Sequence, residues 1–434
     1  MSSTSTSGTS TSGTGTSGTG TSGASGAATG SRLFEPAHVG RLHLPNRLVM
    51  APLTRNRAAA DGTPRPIMAD YYAQRASAGL IIAEATTPNA VGRTYPGIPA
   101  IYSAGHVAGW RRVTDAVRAE GGRMFLQVQH GGRIGHPDNS GLHPVAPSAV
   151  RFPDTIHTPG GSQPGVVPRE MTLDEIRSTV ADFAAAARNA VDAGFDGVEV
   201  HGANGYLIHQ FLARGTNHRT DAYGGSVSAR VRFAVEVVRA VADAIGPERV
   251  GLRVAPGFTG HGIDEGDTAA IYPALLGELD DLGLAYLHVV WADPGTPLFH
   301  ALRGGWRGTL IANPALPWPA PFPVDGGRRE AERLLDAGAD LVSLGRAFLA
   351  NPDLVERLRR DAPLNPMRDE YWYGGGETGY TDYPTLRATS GQPAAPVPPD
   401  ASATPVASGA SATPVASGQP GVPEHVRAPE TVGC

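Results

Sequence analysis

The chain has 434 residues, and its 41 acidic residues outnumber its 36 basic residues, which gives a formal charge of −5 at pH 7. This balance provides no basic footprint for nucleic acid. Every basic residue is arginine, and the absence of lysine excludes Schiff-base enzymes, pyridoxal enzymes and the Walker P-loop. The single cysteine, Cys434, excludes an intramolecular disulfide and a cysteine-ligated iron–sulfur cluster.

Both ends of the chain have low complexity. Residues 1–31 are almost entirely Ser, Thr, Gly and Ala, and residues 389–434 are rich in Pro, Ala, Ser and Gly. Such segments bury too little apolar surface to offset the entropy of ordering, so we predict two disordered tails around one domain at 32–388. No apolar run approaches the ~18–20 residues of a membrane span, and no secretory signal is recognisable. We therefore expect a cytoplasmic protein without membrane contact.

Short apolar runs alternate with amphipathic helical patterns through residues 32–388. Eight such alternations with parallel-type strands favour the α/β class and a (β/α)8 TIM barrel, whose site lies at the carboxyl ends of the strands. A doubly wound sheet has the same local pattern, but no Gly-x-Gly-x-x-Gly follows the first strand. The predicted strands are Leu48–Met50, Leu80–Ala83, Phe125–Val128, Gly197–Val200, Gly251–Val254, Tyr286–Val290, Thr309–Ala312 and Leu341–Leu344.

The clearest helix is predicted at Thr172–Asp192, where Thr172 and Glu175 form a capping box and Gly194 follows the end. Residues 131–170 are rich in Gly, Pro and His and have no clear period, so we predict an irregular inserted lid or side wall over the site. Further helices are predicted at Val107–Glu120, Ser226–Ile245, Thr268–Leu282, Arg328–Asp336 and Pro352–Arg360.

The stretch Glu199-Val-His-Gly-Ala-Asn-Gly-Tyr206 places polar side chains where a predicted buried strand runs out into a loop. His201 and Asn204 are three residues apart, so both can face the same side of a helical turn. Two donors aimed at one oxygen, with the phenol of Tyr206 as proton source, suit conjugate addition to an enone. An ordinary strand end with satisfied polar caps has the same local sequence, so this stretch alone leaves both interpretations open.

Five further segments occur in order along the chain, and with them the chain resembles the Old Yellow Enzyme family of FMN-dependent ene-reductases. These segments are Asn46–Thr54, Gln127–Arg133, Arg219–Ser226, Gly345–Arg346 and Gly379–Pro384. The resemblance implies bound FMN, NADPH or NADH as reductant, and ping-pong hydride transfer from flavin N5 to an activated C=C bond. The implied substrates are small electrophilic alkenes or nitro compounds, and the implied assembly is a monomer or homodimer.

The resemblance also implies roles for individual residues. His201 and Asn204 match the pair that binds the substrate oxygen, Tyr206 matches the proton donor, and Tyr95 and Tyr373 match pocket residues. The positions that hold the flavin ring correspond to Pro52, Leu53, Thr54, Ala85, Gln127 and Arg253. Loops seven and eight of a barrel commonly bind phosphate, and the matching FMN phosphate positions are Asp325, Gly326, Gly327, Gly345 and Arg346.

This chain departs from the family pattern at two places. The segment Pro314–Pro323 is unusually rich in proline, and Gln129 stands where many relatives carry an aromatic residue. Thr54 stands where some branches of the family carry cysteine. Two other functions remain open: a redox-neutral or oxidising flavoprotein on the same barrel, and a catalytically silent barrel that binds a phosphorylated ligand. No pair of histidines has a tight metal-ligand spacing, so we predict no metal site.

Overall fold

The computed structural model describes residues 30–316 and 322–386. Most of both predicted tails and residues 317–321 of the proline-rich segment therefore lie outside the described residues. The strands found in the two described ranges, numbered in chain order, are β1 (Ala37–Val39), β2 (Leu42–Leu44), β3 (Leu48–Met50), β4 (Leu80–Thr86), β5 (Met124–Val128), β6 (Val145–Ala146), β7 (Thr155–Thr158), β8 (Gly161–Pro164), β9 (Arg169–Glu170), β10 (Gly197–Gly202), β11 (Val250–Val254), β12 (Tyr286–Ala292), β13 (Leu310–Pro314) and β14 (Leu341–Leu344).

Eight of these strands close into a parallel barrel in the order β3, β4, β5, β10, β11, β12, β13 and β14. All eight predicted barrel strands are confirmed, with ends that differ by up to three residues. Their residues are buried along almost the whole length of each strand. Continuous apolar runs of this kind are expected where helices cover a parallel sheet, and the predicted (β/α)8 TIM barrel is confirmed.

The outer layer of the barrel consists of amphipathic helices. The predicted capping box is present, because Thr172 Oγ1 accepts from the Glu175 N–H at 3.2 Å and the Glu175 carboxylate accepts from the Thr172 N–H at 2.9 Å. The helices are α1 (Pro66–Ala73), α2 (Ala104–Ala119), α3 (Pro137–Ser140), α4 (Leu173–Asp192), α5 (Leu207–Leu212), α6 (Val227–Ile245), α7 (Thr268–Leu279), α8 (Pro297–Gly305), α9 (Arg328–Asp336), α10 (Arg346–Ala350) and α11 (Leu354–Arg359). Short 3-10 turns lie at Arg32–Phe34, Gly132–Ile134, Pro247–Arg249, Gly260–Gly262 and Asp369–Tyr371.

The amino-terminal end of the barrel is closed by the hairpin β1–β2. Val39 and Leu44 of the hairpin pack in one cluster with Leu80 and Leu341, the first residues of β4 and β14. A second and larger cluster fills the space between the strands and the outer helices. Because the hairpin closes one end, the opposite end, where the strands finish, is left for a site.

The prediction of an irregular segment at 131–170 was wrong. This segment contains helix α3, an antiparallel hairpin of β7 and β8, and a short parallel pair of β6 and β9. The hairpin was not predicted because its strands have only four residues each and little apolar alternation. Its turn is set by Gly161, which has a φ of +100° that glycine adopts without strain.

Gly251 of β11 is required by the packing of the barrel interior. A Cβ at this position would lie 2.2 Å from the ring of Tyr286, which is fully buried. We predict that Gly251→Ala lowers the free energy of unfolding by about 1–3 kcal/mol, the usual range for overpacking. The midpoint of urea unfolding measures this loss.

The matched control is Gly277→Ala on the exposed face of α7, where an added Cβ meets no atom within 4 Å. This change should raise the free energy of unfolding by roughly 0.4–1 kcal/mol, because alanine favours the helix. Equal unfolding midpoints for the two variants would contradict the packing described for Tyr286.

Candidate active site

Three adjacent strands bring the candidate polar residues together at the carboxyl end of the barrel. His201 of β10 is the register partner of Arg253 of β11, and Glu199 of β10 is the partner of Gln127 of β5. All four side chains are buried. The predicted residues His201, Gln127 and Arg253 therefore meet in one desolvated region, although they are far apart in the sequence.

Burial keeps the His201 imidazole neutral. It lowers the pKa of His201 well below its usual range, and the positive charge of Arg253 lowers that pKa further. The Gln127 Nε2 lies 3.3 Å from His201 Nδ1. An amide nitrogen only donates, so Nδ1 accepts and the proton of the neutral ring lies on Nε2.

Several buried donors at this end of the barrel have no hydrogen-bond partner within 30–316 and 322–386. They include Nε and Nη2 of Arg253, Nε2 of Gln129 and Nε2 of His130. Unpaired buried polar groups are costly in proteins, and they are found chiefly where a ligand or another polar group completes them. This set suits a planar ligand that has acceptor atoms on its edge, such as the ring system of a flavin.

The turn after β10 is held in an unusual backbone conformation. Asn204 has a φ of +56°, which asparagine tolerates better than most residues, and Gly205 has a φ of +79°. The Gly205 N–H donates to His209 Nδ1 at 3.2 Å, and its carbonyl accepts from Gln210 Nε2 at 2.8 Å. The Asn204 carbonyl accepts from His261 Nδ1 at 2.7 Å. These contacts fix the backbone of Asn204 and Gly205, which connects His201 to Tyr206.

The anchor of this turn is a buried hydrogen bond between His209 and Glu265. His209 Nε2 lies 2.8 Å from Glu265 Oε1, and both side chains are almost completely buried. Burial raises the pKa of the Glu265 carboxyl, but its contacts with His209, Thr268 and Tyr272 outweigh this effect, and the pKa is lowered. An ionised Glu265 accepts a hydrogen bond from His209 Nε2–H, so His209 Nδ1 remains an acceptor for the Gly205 N–H.

Tyr206 lies beside His201 and under the inserted segment. The two rings have centroids 5.2 Å apart. Tyr206 and Tyr95 are half-buried and pack against one cluster that consists of Ile134, Phe152 and Ile156. The inserted segment therefore contacts two of the predicted site residues and shields one side of Tyr206 from water.

The predicted flavin loop Pro52–Thr54 is tied to the segment that carries Tyr373. Arg55 donates to the carbonyls of Trp372 and Gly379 at 2.9 and 3.0 Å, and Gly374 N–H donates to the Arg55 carbonyl at 2.9 Å. Tyr373 is 45% exposed at the edge of the site. Ala85, the remaining predicted flavin residue, is buried at the end of β4 on the adjacent side.

The predicted phosphate residues lie in the seventh and eighth βα loops, next to the start of the helices α9 and α10. Gly326 and Gly327 both have positive φ, but their N–H groups donate to Pro323 O and to Asp325 Oδ1 at 2.9 and 3.1 Å. Gly345 precedes α10, and Arg346 is buried with its guanidinium carbon 4.8 Å from the Phe322 ring centroid. Burial lowers the pKa of Arg346. The roles of these five residues in binding phosphate remain predictions.

Sequence reasoning missed several residues that build the site. Glu199 could have been found, because a charged residue inside a buried strand is rarely accidental. His209, His261 and Glu265 gave no signal, since their partners are distant in the sequence.

Within the described ranges, no group of three or more His, Cys, Asp or Glu side chains is arranged to hold a metal ion. No helix in the same ranges is long and apolar enough to cross a membrane.

Comparison with known proteins places the chain among flavin enzymes. The NADH:flavin oxidoreductase / NADH oxidase family model matches residues 32–365. A probable flavin mononucleotide-dependent alkene reductase of Leishmania infantum is 44% identical over 367 residues, which cover 82% of this chain and 97% of that protein. The 12-oxophytodienoate reductase 7 of Oryza sativa is 39% identical over 393 residues, which cover 83% of this chain and 95% of that protein.

Solved structures give the same result. The old yellow enzyme homologue from Zymomonas mobilis has a TM-score of 0.77 and 40% identity, with 82% of this chain and 99% of that chain covered. Morphinone reductase in complex with tetrahydroNAD has a TM-score of 0.76 and 45% identity, with 82% of this chain and 97% of that chain covered.

Glu84, next to Ala85, is a buried carboxyl with a perturbed pKa. Its oxygens accept from the Arg55 N–H and the Tyr72 hydroxyl, each at 3.2 Å, and burial raises its pKa to about 7. The folded protein thus holds this proton more tightly than the unfolded chain. The free energy of unfolding should therefore fall by up to about 3 kcal/mol as the pH rises from 4.5, the usual pKa of a glutamate, to about 7.

Glu84→Gln stays neutral at every pH, so it lacks this contribution. We predict that the stability of the wild type relative to the variant decreases between pH 5 and pH 8, as measured by urea unfolding at both values. An equal difference at the two pH values would mean that Glu84 is already ionised at pH 5.

Proposed function

The chain belongs to the Old Yellow Enzyme family of FMN-dependent oxidoreductases, and we propose that it reduces activated C=C bonds of α,β-unsaturated carbonyl or nitro compounds with NADPH or NADH. The observation that carries this proposal is a buried, neutral His201 that is the register partner of an incompletely paired Arg253 and lies three residues before Asn204. The alkene reductase activity in the name of one relative and the tetrahydroNAD bound to another support the same chemistry.

The residues that would hold FMN fit its chemistry. Bound FMN supplies a two-electron carrier that takes hydride from the nicotinamide and passes it to the alkene. Arg253 offers a buried positive charge and two unpaired N–H groups to the edge of the ring, and Gln127 offers an amide. Arg346 offers a largely buried guanidinium to the phosphate, a group that arginine binds through two parallel hydrogen bonds.

His201 and Asn204 are proposed to bind the oxygen of the substrate. His201 Nε2 carries the ring proton, so it donates to a carbonyl or nitro oxygen without needing a positive charge. Asn204 would donate to the same oxygen through its Nδ2, because the Oδ1 of an amide only accepts. Two fixed donors in a desolvated site stabilise the negative charge that develops on that oxygen when the β-carbon accepts hydride.

Tyr206 is proposed to protonate the α-carbon. Its ring lies beside His201, and the backbone turn that carries it is held by His209, Gln210 and His261. The inserted segment packs on the same ring and limits access of water, which favours proton delivery from the phenol. A fixed general acid typically contributes about 10²–10⁴ to the rate.

The visible absorption spectrum tests the proposed function. We predict that the purified protein is yellow, releases FMN on denaturation, loses its flavin absorbance on anaerobic addition of NADPH or NADH, and regains it when 2-cyclohexenone is added. A protein that stays colourless after reconstitution with FMN would contradict the proposal. So would flavin that the nicotinamide bleaches but no activated alkene restores.

Tyr206→Phe tests the proton donor. We predict that it slows reoxidation by 2-cyclohexenone by about 10²–10⁴-fold, because the α-carbon loses its acid, while reduction by the nicotinamide is unchanged. Nitroalkenes should be affected less, since a nitronate can leave the site and be protonated in water. Stopped-flow absorbance measures the two half-reactions separately.

The matched control is Tyr102→Phe, which removes the same hydroxyl from a tyrosine that is 40% exposed at the start of the outer helix α2. Both half-reactions of this variant should equal those of the wild type. If Tyr206→Phe slows both half-reactions equally, Tyr206 shapes the site and is not the acid.

A further inference from the structure

A buried carboxylate lies in the barrel interior two residues before His201, and the mechanism above gives it no role. Glu199 has no exposed surface. Its Oε1 accepts from Gln127 Nε2 at 2.8 Å. Its Oε2 accepts from the Tyr286 hydroxyl at 3.1 Å and from His288 Nδ1 at 2.8 Å. A fully buried carboxylate that accepts from this many donors is a built feature.

The surrounding residues determine the charge of Glu199. Burial raises the pKa of its carboxyl, but the neighbouring His288, Arg253 and Gln127 outweigh that effect, and the pKa is lowered. Burial also lowers the pKa of His288, whose Nε2 lies 2.8 Å from the Ser343 hydroxyl. Glu199 is therefore ionised, and an ionised carboxylate accepts hydrogen bonds but donates none.

This charge dictates the orientation of the Gln127 amide. Only the NH2 end of an amide can donate to a carboxylate, so the carbonyl end of Gln127 must point elsewhere. The same Nε2 lies 3.3 Å from His201 Nδ1. Glu199 and His201 are two residues apart on one strand, so their side chains lie on the same face and reach the same neighbour.

We propose that Glu199 is a positioning residue that sets the tautomer of His201 through Gln127. By accepting from the Gln127 amide, Glu199 obliges that amide to donate to His201 Nδ1, which leaves the ring proton on Nε2. The inference rests on the proposed function, in which His201 Nε2 donates to the substrate oxygen. Without Glu199, both orientations of Gln127 become accessible and the two His201 tautomers coexist.

Glu199→Gln tests this inference with little change in size. A carboxamide at position 199 can either accept from Gln127 or donate to it, so the orientation is no longer imposed. The FMN-loaded protein is labelled with ¹⁵N at histidine, and the ring nitrogen shifts report the tautomer. The His201 signals are those that disappear in His201→Asn. Titration with 4-chlorophenol, followed by its long-wavelength band with the flavin, measures binding at the oxygen site.

We expect the wild type to show a neutral His201 protonated at Nε2. Glu199→Gln should show a second His201 species protonated at Nδ1, and its dissociation constant for 4-chlorophenol should rise about tenfold. The matched control is Tyr286→Phe, which removes one hydrogen bond from the same carboxylate and leaves Gln127 untouched. This control should keep a single His201 species and a phenol affinity within twofold of the wild type.

Three results would overturn the inference. These are a wild-type His201 that is protonated at Nδ1 or is cationic, a Glu199→Gln variant with unchanged His201 shifts and phenol affinity, and equal effects in Tyr286→Phe. If Glu199→Gln does not fold, the wild-type tautomer still decides. Neither readout uses turnover, so a wild type that fails to reduce alkenes would contradict the proposed function and leave this inference standing.

Discussion

The site depends on one constraint, which is the removal of Arg253, His201 and Glu199 from water at the carboxyl end of a closed barrel. Burying a single charge costs far more than burying a neutral group, so the three residues must balance one another. The Arg253 guanidinium is positive, Glu199 supplies the negative charge, and the His201 imidazole remains neutral. A neutral imidazole with a fixed tautomer is a better-defined donor than one that titrates near neutral pH. The register of β10, β11 and β5 creates this arrangement, because it makes these residues neighbours.

Two sets of buried contacts fix the loops that surround Arg253, His201 and Glu199. On one side, His209 and Glu265 anchor the turn that carries Asn204 and Tyr206. On the other side, Arg55 and Arg57 reach the carbonyls of the Tyr373 segment and lie over the ring of Tyr380 at 5.0 and 4.2 Å. Most of these contacts are to backbone atoms, so they fix loop positions and leave the exposed side chains free to differ. Substrate range can then vary in the inserted segment while the buried Arg253, His201 and Glu199 stay the same.

The sequence was sufficient to predict the barrel, because its strands are buried on both faces and read as short apolar runs between amphipathic helices. His201, Asn204 and Tyr206 were predicted from one contiguous stretch, since a strand end and the following turn stay together in space. The partners of Glu199 and His209 could not be predicted. Glu199 meets Tyr286 and His288, and His209 meets Glu265, through closure of the barrel and loop packing that no local pattern records. The hairpin of β7 and β8 was missed because its strands have only four residues each and little apolar alternation.

The proposed function requires that His201 and Asn204 together bind the substrate oxygen while Arg253 and Gln127 hold the cofactor. The most direct test is the double variant His201→Ala, Asn204→Ala, examined by anaerobic stopped flow with its FMN content measured in the same preparation. We predict that the double variant has the FMN content of the wild type and forms no long-wavelength band with 4-chlorophenol. Its reoxidation by 2-cyclohexenone should be slower than that of the wild type by about 10²–10³-fold or more. A double variant that binds the phenol and reduces 2-cyclohexenone as the wild type does would contradict the proposed function.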